Sequence, residues 1–425
     1  MTTKRGKAVR WAAFLGVAAV VVVAAGWWAF DAWADRRLSE ATAWLDEETT
    51  EAGGETSSAG EGTGSALTGL RSATPDLRWT ERENELLDRL EAAEGRPWSP
   101  AELAAARELV GPRRAEADRL GELVRTGGAS AAAGSGTAAR GAGEDAGGAN
   151  TYAGDVPLLR ASRLLAVDAR VALAEGDVER AVERVEDLGA LVRAFEGAPG
   201  MVRQMFAAAV EGGQLRAVAD LVASPAVGRG HLERLRAAFS DLDTETALRR
   251  MMRAEAEEAL AAMEQLPSDG PADGTLVKLA AAEIVSAYRE LATTPFAAVR
   301  ERHDRRIAAA ESPDSPADVV VGLAIPNMVE GVLKIQAAGS ARQLARLALA
   351  LRLHALDEGA YPATLDALLV PAGPDSLAGP DPLAGQPPRW QVGPGGAVLS
   401  NPAAEALWRG AERRSDPPFV WRLPA

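Results

Sequence analysis

His354, Asp357 and Glu358 are the residues whose types and spacing come nearest to a reactive centre. At i, i+3 and i+4 of a helix, an imidazole and two carboxylates share one face. That donor set suits a divalent cation, and with it a metal-dependent hydrolase. The spacing specifies no further ligand, so the plainer expectation is a charged, solvated helix end. His231 and His303 lie far off in sequence, the second inside the basic stretch Arg300–Arg306, and Glu255, Glu257 and Glu258 read as a charged stripe on a helix. No Gly-x-Ser-x-Gly, His-Glu-x-x-His or Ser-x-x-Lys pattern occurs. The chain has no cysteine, which excludes disulfides, a thiolate nucleophile and cysteine-held zinc or iron–sulfur clusters. No catalytic residue and no cofactor is therefore expected.

Composition narrows the partners. The 425 residues hold 60 acids against 46 lysines and arginines, a formal net charge of −14. A surface that acidic repels phosphate backbones, so nucleic acid is not an expected partner. Aromatics make up only 5% of the chain, and Ala, Leu, Arg and Glu dominate its ordered stretches, which favours helices over sheets.

Stepping along the chain, Trp11–Phe30 is an uncharged run about as long as a membrane-crossing helix. Trp11 stands at one end and Trp27, Trp28 and Trp33 at the other, as interfacial aromatics do; Lys4, Arg5, Lys7 and Arg10 precede the run. The expectation is a basic cytoplasmic segment over 1–10 and a transmembrane helix over 11–33. The rest is then placed outside a bacterial inner (plasma) membrane, with the lipid bilayer as a partner. Ala32-Trp33-Ala34 also satisfies the small-x-small pattern of a cleaved signal peptide.

A juxtamembrane helix and a Gly/Ser/Thr-rich flexible linker are expected over 34–74, then a helical body over 75–338. The Gly/Ala/Ser-rich stretch 126–151 reads as a disordered loop within that body. Thr80-x-x-Glu83 and Ser99-Pro100-Ala101-Glu102 are capping boxes, the second opening a helix to about Val124. Between Val156 and Phe195 two amphipathic patterns meet at Gly176-Asp177, where Asp177 can cap the second helix of an αα-hairpin. The string AVDARVALAEGDVERAVERVEDL resembles a tetratricopeptide-type repeat, but no second copy follows at a regular period. The fold expected is mainly α, with an irregular hairpin or solenoid-like body. Val319–Ile325, stopped by Pro326, reads as a short buried helix.

Residues 339–425 predict a small α+β module: a helix over Ser340–Glu358, a turn, and short strands at Pro388–Val392, Ala397–Ser400 and Phe419–Leu423 in an antiparallel sheet. Gly359, Tyr361, Pro362, Leu365 and Leu368, followed by Asp381, Pro382, Gly385 and Pro387, make a pattern that resembles the C-terminal half of type II secretion major pseudopilins. It also resembles the tail of uncharacterised single-pass bacterial proteins with helical ectodomains. Neither the leader cleavage motif of pseudopilins nor their calcium loop is present. The resemblance implies a component of a secretion or pilus-like apparatus. The anchor, linker and hairpin body imply instead a membrane-tethered interaction or scaffold protein of the cell envelope, with an unknown envelope protein as its partner.

Overall fold

The computed structural model describes residues 28–45, 67, 69–71, 74, 78–92, 98–126, 154–197, 200–239, 244–265, 271–311, 316–368, 381–409 and 419–424. These residues form a mainly helical body with a small C-terminal antiparallel sheet. The chain divides into two compact units, one of Met1–Gly53, Arg253–Glu290 and Arg302–Met328, the other of Gly54–Met252, Leu291–Glu301 and Val329–Ala425.

In the first unit, helix α1 (28–45) lies along residues of α10 (Pro271–Thr293). Asp31 accepts hydrogen bonds from the Thr275 hydroxyl at 2.8 Å and the Lys278 ammonium at 3.0 Å, Lys278 also reaches Asp35 at 2.7 Å, and Arg37 pairs with Glu283 at 3.1 Å. Ala34, Ala41, Trp44 and Leu45 are buried. This contact set corrects the expected transmembrane helix. Its described end, 28–33, belongs to a helix that continues to 45, where Ala34, Ala41, Trp44 and Leu45 are buried while Trp28, Phe30 and Trp33 stay exposed, and Asp31 and Asp35 are held by a neighbouring helix. Among the described residues no helix is long and apolar enough to cross a membrane. Residues 1–27, most of the linker (46–66, 68, 72–73) and the loop over 127–151 lie outside the described residues.

The second unit is built on three consecutive helices, α5 (Val156–Ala174), α6 (Val178–Glu196) and α7 (Met201–Ala223). Before them come α2 (Glu81–Ala92), α3 (Pro100–Val110) and α4 (Arg114–Arg125). A single helix was expected from Ser99 to Val124. Gly111-Pro112 instead tightens one turn to a 3-10 helix, because proline lacks the amide that would continue the α ladder. The Ser99 capping box is fully formed, with both reciprocal hydrogen bonds present. At the α5–α6 corner Gly176 has φ +82°, and the Asp177 amide reaches back to the Ala172 carbonyl at 2.9 Å. That is the bond of a helix-terminating Schellman turn. Asp177 then accepts from the Arg180 amide at 3.1 Å and starts α6.

Leu158, Leu164, Val171, Leu188, Leu191 and Phe195 form the centre of the core. A polar seam runs beside it: the guanidinium of Arg184, 2% exposed, binds Asp168 at 2.8 Å and Asp187 at 2.9 Å, and also Asp118 of α4. Three charges buried among aliphatic side chains are tolerated because each is hydrogen-bonded to an opposite one.

Further along lie α8 (Arg229–Ala237), α9 (Thr244–Glu264), α11 (Phe296–Glu311) and α12 (Pro316–Glu358). The break expected at Pro326 is absent: α12, 43 residues long in all, runs through it. One lost backbone hydrogen bond is outweighed by the packing of the apolar residues from Val332 to Leu351. Strands β1 (Arg389–Gly393), β2 (Gly396–Ser400) and β3 (Val420–Leu423) form the sheet in the order β1-β2-β3, with α13 (Pro402–Arg409) between β2 and β3. Leu399 and Trp421 are partners across β2 and β3, both buried, and β3 lies against α7.

Candidate functional site

The residues singled out by spacing fall at two places. His354, Asp357 and Glu358 end α12, where His354 is half-buried, Asp357 is paired with Arg229 and Glu358 is exposed. Among the described residues no group of three or more histidine and acidic side chains is arranged to hold a metal ion.

The Gly-x-Tyr-Pro and Asp-Pro-x-x-Gly residues assemble the C-terminal module. Gly359 takes φ +74° just past α12. The Tyr361 hydroxyl donates to the Pro424 carbonyl at 2.9 Å, its ring meets Trp390 edge-on at 5.9 Å, and the Trp390 indole N–H donates to the Pro362 carbonyl at 2.9 Å. Asp381 folds a tight turn. Its carboxylate accepts from the Leu383 amide at 2.9 Å and the Ala384 amide at 2.7 Å, and its carbonyl accepts from Gly385, at φ +67°. The Ser340 hydroxyl also donates to Asp381, yet burial pushes this carboxyl above its usual range. Pro387 is exposed and precedes β1.

The larger feature is a cleft of about 630 Å³ in the second unit, walled mainly by α5 and α7 and closed by residues of α2, α12 and α13. On α5 the lining positions are Leu159, Ser162, Arg163, Ala166, Val167 and Arg170, one helical face. From α7 come Val202, Met205 and Phe206 at one end and Gly212, Gly213 and Arg216 at the other. The two helices run parallel. Arg203 stands 3.9 Å from Asp155, Ala166 faces Gly213, and Arg170 bonds Asp220 at 2.5 Å.

The ends of the cleft thus differ in chemistry. Phe206 is held by an edge-on contact with Phe195 at 5.9 Å, and its end is aliphatic and aromatic. At the other end the Arg170 guanidinium stacks 3.9 Å above the Trp98 ring, whose indole N–H is buried without a hydrogen-bond partner. Arg216 folds back along its own helix over Gly212, where a Cβ would come within 3.3 Å of its guanidinium. Asp220 stands behind these two arginines. Burial raises its carboxyl above the ordinary value, against the pull of Arg170 and then Arg216.

Four cations, Arg163, Arg170, Arg216 and Lys334, line the cleft, and no acid does among the described lining residues. Asp88, at 2.8 Å from Arg163, and Glu330, at 3.0 Å from Lys334, hold their partners from outside the lining. Ser162 donates to the Leu159 carbonyl of its own helix at 2.8 Å, so its hydroxyl is committed. No histidine or carboxylate stands among the described lining residues to act as a base. Such a surface offers apolar contact and charged side chains.

Sequence reasoning missed this site. The signal it left unused is Gly212-Gly213 in mid-helix, each costing about 0.5–1 kcal/mol relative to alanine. Such a pair persists where a side chain or ligand needs the space.

No family model matches the chain, and no curated protein and no solved structure matches it. The resemblance to pseudopilins and to single-pass envelope proteins is therefore not upheld. The residues that suggested it have a local explanation as turn formers and ring contacts of the C-terminal module. With it go the secretion-apparatus reading, the envelope scaffold, the envelope protein partner, the lipid bilayer as a partner and the inner-membrane placement, none of which the described residues or the comparisons support.

Proposed function

We propose that this chain is a non-covalent binding protein for a small amphiphilic molecule, held in the cleft between α5 and α7. The observation that carries the reading is the cleft itself. Its volume, about 630 Å³, falls within the ~300–1,000 Å³ typical of small-molecule sites, and its walls are mostly apolar with a few charged groups. Each methylene moved from water into such walls contributes about 0.8 kcal/mol. Among the described lining residues there are basic side chains and no general base, so recognition fits the cleft better than catalysis.

Calorimetric titration of decanol and of decanoate into the full chain and into Ala209→Trp tests the reading. Ala209 is an exposed lining residue, so its substitution fills the cleft without disturbing the core. One-to-one binding of at least one amphiphile to the parent chain is expected, with loss in the variant at an unchanged unfolding transition. No binding to the parent, or equal binding to the variant, sinks the reading.

A further inference from the structure

We infer that the ligand of this cleft is uncharged: an apolar molecule whose polar group is a neutral hydroxyl, carbonyl or ether rather than an ionised head. This rests on the cleft being a ligand site and adds the chemical class of what enters it.

The basic side chains of the lining already have acids beside them. Arg163 pairs with Asp88 at 2.8 Å, Lys334 with Glu330 at 3.0 Å and Arg170 with Asp220 at 2.5 Å, and Arg216 acts on the same Asp220 carboxyl. An anionic head would have to displace one of these carboxylates or crowd against it, and like charges at short range repel. A cationic head meets guanidinium and ammonium groups directly, while no acid stands among the described lining residues to receive it. Neither ion finds a vacant partner.

Displacement is hardest at the Trp98 end. The Arg170 side chain is 9% exposed, held between the Trp98 ring at 3.9 Å and the Asp220 carboxylate. Drawing Arg170 onto a ligand would strip Asp220 of its nearest counter-charge where burial already lifts its carboxyl. Freeing one partner of such a dry pair strands the other. The pairs of Arg163 and Lys334 lie nearer to water, with Asp88 and Glu330 exposed. Solvent and salt weaken any ion bound there.

The rest of the wall calls for no charge. Leu90, Leu159, Val202, Met205, Phe206 and Trp408 present carbon, and the Ser162 hydroxyl is committed to its own helix. The methylene stems of the arginines and of Lys334 add to that surface while their heads turn to carboxylates. An uncharged molecule gains all of this contact and disturbs no ion pair.

The test is calorimetry at low salt on the full chain with three molecules of one chain length: decanol, decanoate and decyltrimethylammonium. Decanol is expected to bind at least about tenfold more tightly than either ion, since a charge moved from water to a site without a partner is costly. Added salt should leave the affinity for decanol unchanged. Asp220→Asn removes the acid behind Arg170 and Arg216, so decanoate should gain about tenfold while decanol stays the same. Glu330→Gln removes the exposed acid beside Lys334 and should raise decanoate about threefold, the size of an exposed ion pair. That second variant keeps the comparison decisive if Asp220→Asn unfolds. Decanoate or the ammonium ion binding the parent as tightly as decanol overturns the inference and leaves the binding function standing. Folded variants in which decanol keeps its full lead over decanoate also overturn it, because the paired acids would then not set the preference. If none of the three binds, the binding function itself falls.

Discussion

The hydroxyl of Tyr361 donates a hydrogen bond to the carbonyl oxygen of Pro424, 2.9 Å away in space and 63 residues on in sequence. It ties the turn after α12 to the end of β3. Tyr361→Phe keeps the edge-on contact with Trp390 and loses that bond together with the longer one its oxygen accepts from Arg352 at 3.4 Å, so denaturant unfolding should report a loss of about 1 kcal/mol. Tyr361→Ala also removes the ring and should cost about 3–5 kcal/mol. Equal losses would show that the ring contributes nothing.

Arg342 is the centre of a buried triad, binding Glu196 at 2.5 Å and Glu211 at 2.9 Å. Removing its charge in Arg342→Met strands two carboxylates in the interior and should cost about 3–5 kcal/mol. Burial already raises the Glu211 carboxyl, with Arg342 opposing it. The stability linked to Glu211 is thus fully present below its ordinary range near 4.5 and is lost as pH rises through the elevated folded value. Without Arg342 that value rises further, so the deficit of the variant should grow between acid and neutral pH. A deficit independent of pH would contradict this account.

Glu175 works in the opposite sense. Its hydrogen bond from Arg114, reinforced by Arg107 at 3.2 Å, holds its carboxyl below the ordinary 4.5. Its contribution is present above that value and is lost as pH falls through the lower folded one. Glu175→Gln should leave the chain less stable than the parent at neutral and alkaline pH, with the difference closing as pH falls through that window, so the acid limb of the stability curve flattens. Thermal melts across the acid range measure it.

Two glycines in helices should respond oppositely to alanine. At Gly189 of α6 an added Cβ would collide with the backbone carbonyl of Ala238, which cannot swing aside, so Gly189→Ala should cost about 1–3 kcal/mol or more. At Gly230 in α8 nothing lies within 4 Å, so alanine should stabilise by about 0.5 kcal/mol. Chemical denaturation of both variants decides the matter.

Local chemistry was legible. Ser99 with Glu102, and Gly176 with Asp177, announced their caps because a hydroxyl or carboxylate beside free amides acts over three residues. The alternation of Ala397–Ser400 showed a strand for the same short-range reason. The cleft was not legible, because Leu159, Trp98 and Arg216 gain a common function only when separate helices meet.

The sequence by itself determined that the protein is mainly helical, where its hairpin turns, and that a small sheet follows a long helix, since periodicity and capping are properties of neighbouring residues. It also put Trp28, Asp31 and Trp33 at the edge of an apolar run, and there composition misled. Only the tertiary structure revealed that Asp31 and Asp35 meet Lys278 on another helix. Only it set Arg170 over Trp98 and Arg216 over Gly212, at one end of an apolar cleft. The physical reason is that hydrophobicity acts on whatever apolar surface is offered, lipid or protein, while a charge finds its partner only once packing has chosen the neighbours.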